Sequence, residues 1–417
     1  MTDHVIADDA STDTDTDDHE TTLTIHAPDT SHNDERIAIR LTGLDPGEPV
    51  TFTASLAADD GVEWYSELTF RADDDGTVDL TEHAPASGSY DGCEPMGWLW
   101  AMDNDADEAY PALGDDPHAA IELWATTDDA VATRTITRTL YDPGITIRPV
   151  DRDDLVGTLF EPAGDGPHPA ILDLHGSAGR LSTRRAKLLA DKGYATLAID
   201  YFGEGDPIPD DHRNVPLEYF DTAREWLSEQ PGIDAERVGA FGVSRGAELA
   251  LLLGARRDWV GAVISYAGSG LAWDTPSGEP AWTDGGEPVP HIVARDTPGE
   301  TVETGIDDEE IERVATRVEN TNGPILLLSG GEDPVWQSRY LCEIAVDRLD
   351  RHDFEHPYGH LTYDGVGHYI GTPYQPLSGV GPAEVATATA RAGEDSWPRV
   401  LEYLEAGLES GDGTADV

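Results

Sequence analysis

Three residues have types and surroundings suited to acyl-transfer chemistry. Ser244 lies in the pattern Gly242-x-Ser244-x-Gly246, between an apolar, β-prone run ending at Val243 and a helix-forming run from Ala247 to Leu253. The predicted local order is strand, sharp turn, helix. It stands a serine out at the strand's carboxyl end, and its glycines let strand and helix approach where side chains would collide. A serine hydroxyl is a weak nucleophile at its free pKa and needs a base, usually a histidine oriented by a carboxylate. Both candidates lie downstream. The strand pattern Pro324 to Trp336 delivers Asp333 just past its end, with Glu332 as the fallback acid, and the loop in LTYDGVGHYIGTPY carries His368. The oxyanion formed by serine attack needs N–H donors. The amide of Arg245, at the helix start, is one candidate, and the small-residue loop HGSAG, with Ser177, supplies the other. His175 in that loop is expected to support it rather than act as a base.

Those residues need elements to position them. From about residue 149 to 408, short apolar strands alternate with helical patterns, as a mostly parallel sheet with helices on both faces requires. The runs PAILDLHGSAG, GYATLAIDYFG, VGAVISYAG and PILLLSGG read as buried strands; 182–192 and 216–229 read as helices. The chain order Ser244, Asp333, His368 is the order used by the α/β-hydrolase fold. Residues 269–322 are polar and rich in Pro and Gly, too long for a plain loop, and read as a lid or substrate wall with a helix near 307–318. Ahead of this domain, residues 22–148 read as a smaller all-β sandwich. Ile37, Ile39 and Leu41 alternate, then Val50, Phe52 and Ala54, then Val62, Trp64, Ser66 and Leu68; Ala120–Thr126 and Val131–Thr139 follow. The aromatic stretch Ser89 to Met102 is expected in its core, and DPGITIRP, from Asp142, reads as the linker. Residues 1–21 and 409–417 read as disordered tails.

Composition narrows the function classes. The chain has 417 residues with 83 acidic and 26 basic side chains, a formal charge of −57 spread along its whole length. Such a field repels nucleic acid and anionic membranes, and the compact state needs salt to screen its self-repulsion, so a halophile's cytoplasmic protein is expected. The first twenty residues hold eight carboxylates and no Lys or Arg, unlike a signal peptide, and no apolar run approaches a membrane span. Cys93 and Cys342 lack metal-ligand spacing and read as free buried thiols; neither a metal nor a cofactor is expected. Four of the basic residues, Arg180, Arg184, Arg185 and Lys187, cluster beside the HGSAG loop, where they would suit either the phosphates of an anionic substrate or salt bridges to the abundant surrounding carboxylates.

These blocks together resemble the acyl-CoA thioesterase and bile acid-CoA:amino acid N-acyltransferase family. LTGLDPGEPVTFTASL, RADDDGTVDL and YDGCEPMGWLWAM resemble its β-sandwich domain; GVSRGAEL, SGGEDPVWQS and GVGHYIGTPY resemble its Ser, Asp and His motifs, down to Trp336, Ser338, Pro373 and Tyr374. At the oxyanion loop the chain has HGSAGR where the family tends toward a run of glycines. The resemblance implies Ser244 as nucleophile, Asp333 as orienting acid, His368 as base, and an acyl-CoA substrate, with coenzyme A as a product. Family acyltransferases use Cys as nucleophile, so Ser244 favours hydrolysis over transfer to an amino acid. An esterase of dienelactone-hydrolase type on oxygen esters, and a silent binding module, are the rival readings.

Overall fold

The computed structural model describes residues 22–408, apart from 107, 109, 115, 180–182, 204–206 and 294–304. The two expected tails therefore lie outside the described residues, as does Arg180.

The first domain is a sandwich of a six-stranded and a three-stranded sheet. The long hairpins form where alternation predicted them. Pro49–Ala57 pairs antiparallel with Glu63–Arg71 and, on its other side, with His118–Thr126, which pairs in turn with Val131–Thr139. The period of two sends Val50, Phe52, Ala54, Trp64, Leu68 and Phe70 inward, where all are fully buried. Trp98, Leu99 and Trp100, on the short helix Gly97–Trp100, close the core. Phe52 meets the edge of Trp98 at 6.4 Å. Cys93 departs from expectation: it is exposed in the turn before that helix, while Cys342 is buried as read.

The second domain is built on an eight-stranded sheet. Its first strand, Thr146–Pro149, comes from the expected linker and pairs antiparallel with Val156–Glu161. The Pro and Gly that suggested a linker are tolerated because this strand lies at the sheet edge. Val156–Glu161 pairs antiparallel with Ala195–Asp200, and from there every neighbour is parallel: His168–Leu174, Ile233–Val243, Val260–Tyr266, Ile325–Gly330 and Tyr358–Tyr363. His168–Leu174 and Ala195–Asp200 exchange places relative to chain order, so successive crossovers put helices on both faces. Val260–Tyr266 is buried at every position, as a central parallel strand must be. The helix Arg245–Arg256 packs on one face, and the 26-residue helix Ala383–Leu408 on the other through Trp397, Val400 and Leu404.

The domains share a core. Phe160, Ala186, Ala190, Leu377 and Ala386 of the second join the cluster centred on the first domain's tryptophans. Around it, Lys192 Nζ lies 2.7 Å from Asp34, the Leu377 amide donates to the Trp100 carbonyl at 2.8 Å, and Arg36–Glu394 and Arg391–Glu94 pair across the junction.

The insertion 269–322, in its described part, is packed rather than free. Asp307 caps the helix Asp308–Val314 by accepting from the Glu310 amide at 2.8 Å. Leu271, Ile292 and Val314 pack on Leu341 and Ile344 of the helix Ser338–Arg351.

Candidate active site

The strand Ile233–Val243 and helix Arg245–Arg256 meet at Ser244, whose backbone is held at φ 56° and ψ −120°. A non-glycine residue is strained there, and such strain persists only where the surroundings enforce it. Here two glycines do. A Cβ on Gly242 would stand 2.0 Å from the Gly246 carbonyl oxygen, and one on Gly246 would stand 2.4 Å from the carbonyl oxygens of Leu174 and His175. All of these obstacles are backbone, so neither position has room for a side chain.

The adjacent parallel strands end at the same edge, and this brings distant residues together. His368 Nε2 lies 2.9 Å from Ser244 Oγ, and its Nδ1 lies 2.7 Å from Asp333 Oδ2. Asp333 is buried; its other oxygen accepts from the Val335 amide at 2.8 Å. Burial is the largest influence and would raise this carboxyl, but the hydrogen bonds from His368, Ser338 and the Val335 amide and the attraction of the His368 ring outweigh it together, and Asp333 is held below its ordinary pKa. It stays an anion, aligning Nδ1–H toward itself and leaving Nε2 to accept the serine proton. Trp336 fixes the ring from the side: its indole donates to the Ala267 carbonyl at 2.8 Å, and it meets His368 edge-on at 6.2 Å. Glu332 points elsewhere, accepting from the Gly365 amide.

Arg245 begins its helix, so its amide has no carbonyl partner in the helix's own ladder. Across from it runs the loop after Leu174. Gly176 lies against the Ser244 side chain, close enough that a Cβ there would be 3.2 Å from Ser244 Cβ. Ser177 follows, exposed. His175 is not near the reacting hydroxyl in role or partner. It stacks on Tyr201 at 4.1 Å, its Nδ1 faces the Gly176 carbonyl at 2.9 Å, and burial lowers its pKa to about 4. The ring is neutral and holds the loop.

The basic cluster does not form one patch. Arg185 is buried in an ion pair with Asp173 under the loop, its guanidinium 4.7 Å from the Phe241 ring centroid. Lys187 donates to the Gly114 carbonyl of the first domain at 2.7 Å, and Arg184 donates to Thr372 Oγ1 and the Pro373 carbonyl, both at 2.9 Å. These partners explain the clustering by position: the helix Thr183–Asp191 sits at the domain junction and ties loop, sheet and first domain together.

Between that helix, the loop after His368 and the first-domain segment Tyr110–Gly114 lies a cavity of about 450 Å³. Gly176 and Val243, neighbours of Ser244, and Tyr369 and Ile370, which follow His368, form its catalytic side. The segment Tyr110–Gly114 and Arg138 were not singled out from sequence. A signal for Arg138 existed, because it is in phase with buried Ile136 in the alternating strand Val131–Thr139. Among the described residues no group of three or more His, Cys, Asp or Glu side chains is arranged to hold a metal ion. Nor is any helix among them long and apolar enough to cross a membrane.

The comparisons with known proteins agree with this architecture. The profile described as "Acyl-CoA thioester hydrolase/BAAT N-terminal region" matches residues 34–152, and that described as "BAAT / Acyl-CoA thioester hydrolase C terminal" matches residues 215–410. The chain is 29% identical over 415 residues to the peroxisomal succinyl-coenzyme A thioesterase of Mus musculus, covering 92% of this chain and 96% of that protein. It is 32% identical over 366 residues to acyl-coenzyme A thioesterase 1 of Homo sapiens, covering 82% and 84%. It is 30% identical over 408 residues to the mitochondrial acyl-coenzyme A thioesterase 2 of Rattus norvegicus, covering 92% and 87%. With both halves of its sequence matched and its Ser, His and Asp hydrogen-bonded in series, the chain belongs to the acyl-CoA thioester hydrolase/BAAT family.

Proposed function

We propose that the protein hydrolyses acyl-CoA thioesters through an acyl-serine intermediate. The observation that carries this reading is His368 bridging Ser244 Oγ at 2.9 Å and Asp333 at 2.7 Å, beside a cavity of about 450 Å³ that opens to solvent. Ser244 Oγ attacks the thioester carbon as His368 Nε2 takes its proton. The amides of Arg245 and Ser177 face the oxyanion, where charge develops and fixed donors act most strongly. The tetrahedral adduct collapses, His368 protonates the departing thiolate, and free coenzyme A leaves. Water, deprotonated by His368, then attacks the acyl-serine; the proton passes back to Ser244 and the free acid departs. A serine ester resists amines more than a cysteine thioester would, which favours water over an amino acid as acceptor. The chain's charge of −57 supports a setting rich in salt for this reaction.

The test is a kinetic panel of acyl-CoAs and matched 4-nitrophenyl esters, with Ser244→Ala as control. Turnover of an acyl-CoA that is lost in Ser244→Ala, with no acyl-glycine formed in the presence of glycine, is the expected result. A preference for every oxygen ester over its acyl-CoA would replace this reading with an esterase.

A further inference from the structure

The residue after the nucleophile carries a long cationic side chain that the proposed reaction does not use. Arg245 is 9% exposed, and its guanidinium is held by Glu248 Oε2 at 2.9 Å and by the carbonyls of Trp273 and Asp274 at 3.4 and 3.1 Å. It also lies over the ring of Trp336, with its central carbon 5.6 Å from the ring centroid, within reach of a cation–π contact. Trp336 is itself shared. Its indole N–H is committed to the Ala267 carbonyl, and its ring meets that of His368 at 6.2 Å with the two planes 80° apart. One indole is therefore in contact with the side chain next to the nucleophile and with the base.

His368 needs such a wall. Its hydrogen bond to Asp333 fixes one point of the imidazole, and turning about that point would carry Nε2 away from Ser244 Oγ. A displacement of about 1 Å at a reacting atom can cost on the order of 10²-fold in rate. Trp336 is partly exposed, so it stands firm only if something backs it, and Arg245 does. A bare guanidinium in that place would oppose the imidazolium that His368 becomes in each half of the reaction. Glu248 removes the conflict. Fully buried, it pairs with Arg245 while accepting from the Trp282 indole and the Trp273 amide. Trp273, Asp274 and Trp282 all belong to the insertion 269–322, so that segment holds the guanidinium where it is. Resting on the acyl-serine reading, we propose that the Arg245 side chain is a positioning residue for His368, acting through Trp336, and that the insertion serves the reaction by keeping it there.

The test separates position from stability. Arg245→Met/Glu248→Leu removes both charges together, Trp336→Leu removes the ring, and a triple variant combines them. Each is measured below its melting temperature, first by the rate at which a fluorophosphonate labels Ser244, which needs the base but no particular substrate, and then by kcat and KM per labelled site. Arg245→Met/Glu248→Leu and Trp336→Leu should each lower the labelling rate and kcat about tenfold with KM changed by less than about twofold, and the triple variant should be no worse than the worse of the two. Arg245→Lys keeps an ion for Glu248 but has no planar group to lie over the indole, so it should melt near the wild type and still label more slowly by about threefold or more. Labelling at the wild-type rate in Arg245→Met/Glu248→Leu overturns the proposal; if that variant does not fold, labelling at the wild-type rate in Arg245→Lys does so. Losses that multiply in the triple variant also overturn it, because Arg245 would then reach the site by a route that bypasses Trp336. If no acyl-CoA turns over, the thioesterase reading fails while the labelling rates still judge the positioning role; a wild type that the reagent does not label overturns both.

Discussion

Ser244, His368 and Asp333 are joined in series, so each is useful only with the others. Ser244→Ala and His368→Ala are each expected to lower kcat by about three orders of magnitude or more, and the double variant should be no worse than the worse single one. Asp333→Asn presents an amide where His368 Nδ1 needs an acceptor and should lose nearly as much, whereas Glu332→Gln, whose carboxylate only holds the Gly365 amide, should keep near-normal turnover. Steady-state kinetics on one acyl-CoA reads all of these, and a crippled Glu332→Gln beside an active Asp333→Asn would reassign the acid. His175 makes a separate claim, on stability. Burial holds it near 4, against 6.5 in the open chain, so the unfolded state takes up the proton first as pH falls. The stability tied to the neutral ring is whole above about pH 6.5 and drains away toward pH 4, a swing of about 3 kcal/mol. Phe at this position keeps the stack on Tyr201 but has no proton to gain. Urea unfolding at constant salt should show a shallower fall between pH 7.5 and 5 for His175→Phe than for the wild type; parallel curves would remove His175 as the cause.

At the scale of elements, the nucleophile helix and the insertion are pinned by one buried group. Glu248 accepts from Arg245 at 2.9 Å, from the Trp282 indole at 2.6 Å and from the Trp273 amide at 3.2 Å, while Arg245 reaches the Trp273 and Asp274 carbonyls. Burial raises the Glu248 carboxyl and its partners oppose that shift. Removing one charge strands the other, at about 3–5 kcal/mol, whereas removing both is far milder. Glu248→Gln should therefore lower Tm steeply and Arg245→Met/Glu248→Leu should recover much of it, as thermal melts in high salt would show; equal losses would mean that the pair does not act as a unit. How much of this was legible in the sequence follows from the range of each signal. Val50, Phe52 and Ala54 announced their strand because alternation is local, and Asp333 and His368 stood out because each follows a buried strand in the required chain order. Thr146–Pro149 read as linker because its Pro and Gly neighbours are punctuation, yet an edge strand tolerates them. Cys93 read as buried on residue type, but a turn exposes it. The pairing of Arg185 with Asp173, of Glu248 with Trp282, and the approach of Arg245 to Trp336 depend on which distant segments meet, which no local pattern carries. The four cations from Arg180 to Lys187 were visible as a cluster, but the partners given to Arg184, Arg185 and Lys187 by three different elements were not.

For the whole molecule, the governing quantity is the charge of −57. The domain junction is sewn by Lys192–Asp34, Arg36–Glu394 and Arg391–Glu94, each with its cation partly or largely open to solvent, where a pair contributes about 1 kcal/mol, too little to offset repulsion between two acidic bodies. Screening must do that. Between 3 M and 0.1 M KCl the Debye length grows from about 2 to about 10 Å, and the carboxylates begin to feel one another. Circular dichroism melts should show Tm falling sharply, or the cooperative transition vanishing, in the dilute buffer. An unchanged transition would remove the salt-adapted reading.

The cavity wall formed by Tyr110–Gly114, fastened through Lys187 to the Gly114 carbonyl, has an architectural consequence. The residues of the proposed triad all belong to one half of the chain, while part of the wall of the cavity proposed for the acyl group is lent by the other. On that reading, reaction and selection are housed in separable modules. A lineage could re-address such an enzyme to a new acyl group by revising a loop in a domain that never touches the bond being broken.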